Sequence, residues 1–241
     1  MQLYDMHSHI LPAFDDGAKT VEDSLALIGC LQKQGVNNIC LTPHYYTNER
    51  SLLDFLRKRE QAYLNFAPHI PEGVRIVLGA EVYVTDYLFN NKDLSGITYG
   101  KSNYILTEYP YNSQFSDKTM QKFYSLIQNY GLIPVMPHVE RYHFLVDHPE
   151  YIEEMQDLGV IIQTNVSNYS DKSPFFRKRK LLKLIAGGYI NILGTDAHSF
   201  VHNTPEVFSQ AMNTIREKCG SHVLNQMMET AEMMFTAAVG E

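Results

Sequence analysis

The sequence predicts an α/β protein of parallel strands joined by helical crossovers and closed into a barrel. Three observations carry this. Short β-like runs and amphipathic helical stretches alternate about seven times along the 241 residues, the pattern of parallel strands with helices between them. The runs are almost continuously apolar, as strands covered on both faces are. Ligand-type side chains gather at the C-terminal ends of the runs, and in a parallel barrel those ends meet on one face. A doubly wound open sheet is the alternative, but no Gly-x-Gly-x-x-Gly turn supports it. One domain is expected over residues 1–241.

The first run is Leu3 to His9. Thr20 to Asp23 then reads as a capping box, with Val21, Leu25, Ile28 and Leu31 at helical spacing and Gly35 as the stop. Asn38 to His44 is the second run, followed by a charged helix from about Asn48 to Phe66. Arg75 to Glu81 is the third, with a loop region from Asp86 to Lys101 behind it. Tyr104 to Glu108 is the fourth, and Ser116 is a suitable cap for a helix reaching Tyr130. The fifth run is Ile133 to His138. Pro149 in a first turn and Gly159 beyond the end frame the next helix. Val160 to Asn165 is the sixth run. The helix from about Pro174 to Ala186 carries four consecutive basic residues, Arg177 to Lys180, read as a solvated face. The seventh run is Ile190 to Asp196, and helices near Pro205–Lys218 and Ser221–Ala238 follow. Met227, Met228, Met233 and Met234 in the last of these are read as core packing.

Composition narrows the function classes. A hydrophobic content of 44% and a charged content of 20% are ordinary for a globular protein. A formal net charge of −7 disfavours a general nucleic-acid or membrane-surface binder, which needs a basic face. No membrane span and no basic-then-apolar leader is visible, so the expected location is cytoplasmic. Cys30, Cys40 and Cys219 form no Cys-x-x-Cys pair and are read as buried thiols; none has an arginine six positions on, which excludes the phosphate loop of cysteine-based tyrosine phosphatases.

The chemistry lies at the run ends. His7 and His9 are two apart and face one side of a strand. His44, Glu81, Glu108 and His138 end later runs, and Asp196 and His198 end the seventh. Burying so many polar groups without a partner is costly, and metal ions are the natural partner. The donors are nitrogen and oxygen without sulfur, which suits Mn, Fe, Zn or Mg. With Asp16 the candidates are too many for one ion, and clustered divalent ions suit phosphate ester hydrolysis.

Six motifs together carry a resemblance: Asp5-Met6-His7-Ser8-His9, Asp15-Asp16-Gly17, Thr42-Pro43-His44, Gly79-Ala80-Glu81, His138-Val139-Glu140-Arg141-Tyr142 and Thr195-Asp196-Ala197-His198. In order and spacing the chain resembles the polymerase-and-histidinol-phosphatase (PHP) superfamily, and within it the bacterial manganese-dependent tyrosine-protein phosphatases of the CpsB/CapC type. The resemblance implies a distorted (β/α)7 barrel with three divalent ions, manganese first and Fe, Zn or Mg as alternatives. One ion would be held by His7, His9, Glu81 and Asp196, a second by Glu81, Glu108 and His138, and a third by Asp16, His44 and His198. It implies catalytic roles for Arg141, Glu81 and His138, with Arg141 holding the phosphate. It also implies a phosphotyrosine protein as partner, the tail of a tyrosine kinase controlling capsular or exopolysaccharide synthesis.

The chain departs from the family at one informative place. Where a second phosphate arginine is usual, Asn203 stands, with His202 beside it. The Asn-Pro turn expected near the family's C-terminal end is also missing. Substrate contacts are therefore expected from Arg141, His202, Asn203 and Tyr45. A small phosphomonoester such as histidinol phosphate, or a metal-bound regulator without turnover, are the alternative readings.

Overall fold

The computed structural model describes residues 2–115 and 117–240; the expected cap Ser116 lies outside them. The strands are β1 (Leu3–Ser8), β2 (Val36–Leu41), β3 (His44–Tyr46), β4 (Arg75–Leu78), β5 (Glu81–Tyr83), β6 (Tyr104–Glu108), β7 (Ile133–Met136), β8 (Ile161–Asn165) and β9 (Ile192–Gly194). The helices are α1 (Val21–Lys33), α2 (Leu52–Phe66), α3 (Asp117–Tyr130), α4 (His143–Asp147), α5 (Pro149–Asp157), α6 (Phe175–Ala186), α7 (Phe208–Cys219) and α8 (Ser221–Val239).

Strands pair in parallel in two sheets, ordered β1-β2-β4 and β3-β5-β6-β7-β8-β9. The second and third sequence runs each supply a strand to both sheets. The second breaks at Pro43, which has no N–H to give a ladder, and the third breaks at Gly79-Ala80. Across the break the Gly79 N–H still reaches Leu41 O at 2.8 Å, and the Glu81 N–H reaches Pro43 O at 3.1 Å. Arg59 of α2 braces this point. It donates to Gly79 O at 2.6 Å and Gly96 O at 2.7 Å, and burial lowers its pKa to about 10. At the other junction the Asp196 N–H bonds His7 O at 2.7 Å and the His9 N–H bonds Ala197 O at 3.0 Å, beyond the end of β9.

Strand alternation sorts the side chains into two apolar layers. Val36, Ile39, Leu41, Ile105, Met136, Ile162 and Leu193 pack under the helices α1 to α7. The opposite face presents Tyr4, Met6, Cys40, Val77, Tyr104, Leu106, Val135 and Ile192, which pack on Ala231, Met234, Phe235 and Ala238 of α8. On this second face the same parity continues upward: Leu106 is followed by Glu108, Ile161 by Gln163 and Asn165, and Ile192 by Gly194. The rungs thus change from apolar to polar as the strands reach their C-terminal ends.

Local signals are realised with some shifts. Thr20 caps α1 with a reciprocal bond to Asp23. The charged helix starts at Leu52 rather than near Asn48, because Ser51 is its cap. Pro205 opens a short 3-10 turn, and α7 begins only at Phe208. A five-residue helix, α4, precedes α5, and a 3-10 turn occupies Asp86–Asn90 in the region read as loop. Of the four methionines read as core, Met227, Met228 and Met234 are buried, whereas Met233 is 53% exposed on the outer side of α8. Only Cys40 is fully buried; Cys30 and Cys219 are half-buried free thiols near helix ends. Among the described residues no helix is long and apolar enough to cross a membrane.

Candidate metal centre

The nine expected ligands come together on one side of the sheets, most in or after the last residues of strands, with His44 and Glu81 as the first residues of β3 and β5 just past the breaks at Pro43 and Gly79-Ala80. Three groups, each with ligand atoms within 4.8 Å of one another, are His7–His9–Glu81–Asp196, His9–Asp16–His44–His198 and His44–Glu81–Glu108. Glu81 is common to the first and third. The pairing differs from expectation in two respects. His9 joins the group of Asp16, His44 and His198, and His44 takes the place beside Glu81 and Glu108 that was expected of His138. His138 stays adjacent, its Nε2 at 2.8 Å from Glu81 Oε1 and 3.6 Å from Glu108 Oε1.

The donors crowd together without satisfying one another. His7 Nε2 and His9 Nε2 are 3.2 Å apart. Glu81 Oε2 has His44 Nδ1 at 3.0 Å and His9 Nε2 at 3.2 Å, yet neither direction suits a hydrogen bond. Glu81 Oε2, His44 Nδ1 and His138 Nδ1 remain buried without a hydrogen-bond partner. Unpaired buried polar atoms are costly, and lone pairs converging on shared points fit cations better than they fit each other. Nitrogen and oxygen donors without thiolate match hard or borderline divalent ions.

The electrostatics agree. Burial disfavours the His9 imidazolium, but Asp15 at 2.8 Å holds its pKa well above the ordinary value. Burial also disfavours ionised Glu81 and Asp196, and the surrounding imidazoles, His7 foremost, hold both well below the usual carboxylate range. Glu108 moves the other way, raised by burial and by the neighbouring Glu81 charge. His198 falls to about 4 through burial and the nearby His9. A cation held here displaces the protons these groups otherwise share.

Sequence motifs acquire separate jobs. Gly17 is required because a Cβ there would lie 2.0 Å from His9 O; this lets the Asp-Asp-Gly turn press on β1. Asp15, quoted in its motif but given no role, accepts from both His9 Nδ1 (2.8 Å) and the His44 N–H (3.0 Å). A Cβ at Gly194 would meet His7 Cβ at 2.6 Å, so a glycine admits the first imidazole. In His-Val-Glu-Arg-Tyr, His138 is in the left-handed region (φ 34°) and Val139 is core. The Glu140 carboxylate accepts from Thr164 Oγ1, Asn165 N–H and Asn168 Nδ2. Arg141 donates from NH2 to Asp196 Oδ2 and from NH1 to Tyr111 OH, both at 2.7 Å. Tyr142 OH ties itself to the Tyr109 backbone at the end of β6.

Asp196 shows how a candidate ligand is fixed. Its Oδ1 faces His7, His9 and His198. Its Oδ2 accepts from Arg141 NH2, Asn165 Nδ2 (2.9 Å) and Asn203 Nδ2 (2.8 Å). Gln163 is a second brace. Its Oε1 accepts the His138 N–H at 2.6 Å and lies 3.4 Å from His7 Nδ1, and its Nε2 donates to Asn165 Oδ1. Gln163 and Asn165 escaped the sequence reading because the sixth run ends in amides, not ionisable groups. Their spacing of two, at the end of an apolar run, was the signal. The expected substrate residues divide. His202 sits edge-on to His198 at 5.2 Å between centroids. Tyr45 is turned away, 1% exposed with its ring 4.6 Å from Phe55, because the alternation resumes after Pro43 with Tyr45 on the core side. Tyr46 instead stacks on His44, and Tyr111, whose OH donates to Glu108 Oε1 at 2.7 Å, stands over the site.

Fold and site together define a parallel α/β protein with a candidate metal centre of nitrogen and oxygen donors. Comparison with known proteins gives the family. The model for capsular polysaccharide synthesis CpsB/CapC matches residues 3–235, and the chain belongs to that family. It is 29% identical over 231 residues to the tyrosine-protein phosphatase CpsB of Streptococcus pneumoniae, covering 91% of this chain and 92% of that one. It is 28% identical over 243 residues to the tyrosine-protein phosphatase YwqE of Bacillus subtilis, covering 96% and 91%. The fold superposes with a TM-score of 0.80 at 24% identity, over 98% of this chain and 95% of the other, on a structure from work on YwqE and CpsB described as metal-dependent tyrosine phosphatases.

Proposed function

We propose that this protein is a metal-dependent phosphatase that hydrolyses phosphotyrosine on a protein, the tail of a tyrosine kinase that governs capsular or exopolysaccharide synthesis. The observation that carries this is Arg141, anchored on Asp196 and Tyr111 beside eight residues whose nitrogen and oxygen donors converge, with His138 adjacent to them. Family membership and the names of the relatives point the same way. We further read the chain as one domain over 1–241, its two sheets joined into one distorted seven-stranded barrel, acting in the cytoplasm.

The residues fit divalent ions. His7, His9, Glu81 and Asp196 would hold one, Glu81, Glu108, His138 and the neighbouring His44 a second, and Asp16, His44 and His198 a third, with manganese the first choice. Ions there supply Lewis-acid polarisation of the phosphoryl group and charge against the attacking and leaving oxygens. The side chains do the rest. Arg141 keeps free N–H donors after its two bonds and offers them to phosphate oxygens as a planar fork. Tyr111, raised by burial and by Glu108, stays protonated and fixes both Glu108 and the guanidinium. The phenolic leaving group has a pKa of about 10, so a dedicated general acid is not essential. Water and the phosphotyrosyl side chain yield tyrosine and inorganic phosphate.

The test is phosphate release from a phosphotyrosine peptide, a phosphoserine peptide, histidinol phosphate and p-nitrophenyl phosphate, before chelation and after manganese is restored. Metal-dependent turnover with preference for the phosphotyrosine peptide is expected. Turnover of histidinol phosphate alone would overturn the assignment.

A further inference from the structure

We infer that the cavity between Arg141 and the first turn of α6 is a subsite for an anionic side chain of the substrate, close to its phosphotyrosine. This rests on the phosphatase reading above. The cavity holds about 480 Å³, and its lining includes Arg141, His143, Arg177, Asn203, Asn168 and Tyr111. It opens directly beside the guanidinium that would hold the phosphate.

The charges favour an anion. Glu140 is the one acid lining the cavity, and its carboxylate is turned into Thr164, Asn165 and Asn168. Arg141 is matched by Asp196. Arg177 is different. Its NH2 reaches only the neutral Glu140 backbone O, at 3.4 Å, and among the described residues no carboxylate lies within ion-pair distance of it. The basic stretch is a solvated face as expected, with Arg177, Arg179 and Lys180 exposed, but its residues differ in what they meet. Lys180 pairs with Asp147 at the end of α4 and Lys178 bonds Ser170 O after β8, both tying α6 to its neighbours, while Arg177 supplies the cavity's uncompensated charge. Asn168 and Asn203 add neutral polar groups, and Asn203 in place of arginine leaves room between phosphate and subsite. A carboxylate of Asp or Glu and the phosphate of a second phosphotyrosine share the required chemistry.

The experiment uses the manganese-loaded full chain and phosphotyrosine peptides carrying Glu, a second phosphotyrosine, Lys or Ala at each of the adjacent positions. Wild-type protein is expected to favour an anionic neighbour about fivefold in kcat/KM, mainly through KM, with the preference shrinking at high salt. The Glu and phosphotyrosine arms identify which anion fits. Arg177→Ala is expected to bring the anionic-to-Ala ratio close to one, Arg177→Lys to retain part of it, and Arg177→Glu to shift preference to Lys neighbours. Turnover of all peptides without an anionic preference, or an unchanged ratio in Arg177→Ala, overturns the subsite and leaves the phosphatase reading intact. No turnover of any phosphotyrosine peptide, with p-nitrophenyl phosphate still cleaved, overturns both.

Discussion

The lower and upper rungs of the same strand faces obey opposite rules. Below, Tyr4, Leu106, Val135 and Ile192 meet α8 in a dry layer, and complementarity of shape decides their value. Above, Glu108, His138, Gln163, Asn165 and Asp196 continue the same strands, or the turns that leave them, with groups buried at a cost and held in place by other polar groups. The lower rungs stabilise the chain, and the upper rungs draw on that stability to keep unpaired lone pairs together. His138, Asp196 and Asn203 sit in the left-handed region, with φ of 34°, 53° and 48°. Such backbone costs of order 1–3 kcal/mol each and persists where the surroundings enforce it.

The contrast can be broken from either side. Glu81→Ala removes the carboxylate shared by two ligand groups and is expected to lower kcat/KM more than about a hundredfold, while urea unfolding of the metal-free protein changes little. Near-normal turnover in this variant would sink the shared-carboxylate model. Phe235→Ala, in the lower layer, is expected to cost about 3–5 kcal/mol of stability with kcat of the folded enzyme retained; a large loss of kcat would show that the layers are not separable. Gln163→Leu tests the bracing between them. It orphans the His138 N–H, and metal affinity measured by chelator competition is expected to drop about 10–100-fold. Unchanged affinity would mean that the strand alone positions His138. The smallest effect is expected from Asn203→Arg. A new charge-assisted phosphate contact lowers KM for a phosphopeptide, but arginine fits the left-handed backbone less well than asparagine, by about 1 kcal/mol, so the gain is held to about threefold. A constant KM would indicate that this position does not face the phosphate.

Candidate ligands were legible in the sequence where a histidine or carboxylate interrupts an apolar run, as at His9, Glu81 and Asp196, which the fold brings together. The neutral braces Gln163 and Asn165 carry no such contrast. Tyr45 was expected at the substrate but lies in the core, because Pro43 resets the alternation, an effect that pattern counting across a strand break does not register. The number of strands was obscured for the same reason, since two continuous apolar runs each divide between sheets. Helix α4, with five residues, is too short to show a period. Met233 follows the apolar content of α8 but falls on its outward side.

The position of α8 also sets a timetable. β1 carries His7 and leads into His9, yet its floor is Ser221–Val239 and its backbone partners at the site include Asp196 and Ala197, all far along the chain. Until those segments dock, the two histidines lack their dry support and the Asp196 carboxylate. Pairings this distant along the chain form slowly, and domains fold as units during synthesis. The candidate ligand set is thus complete only late in folding, once these distant segments have met.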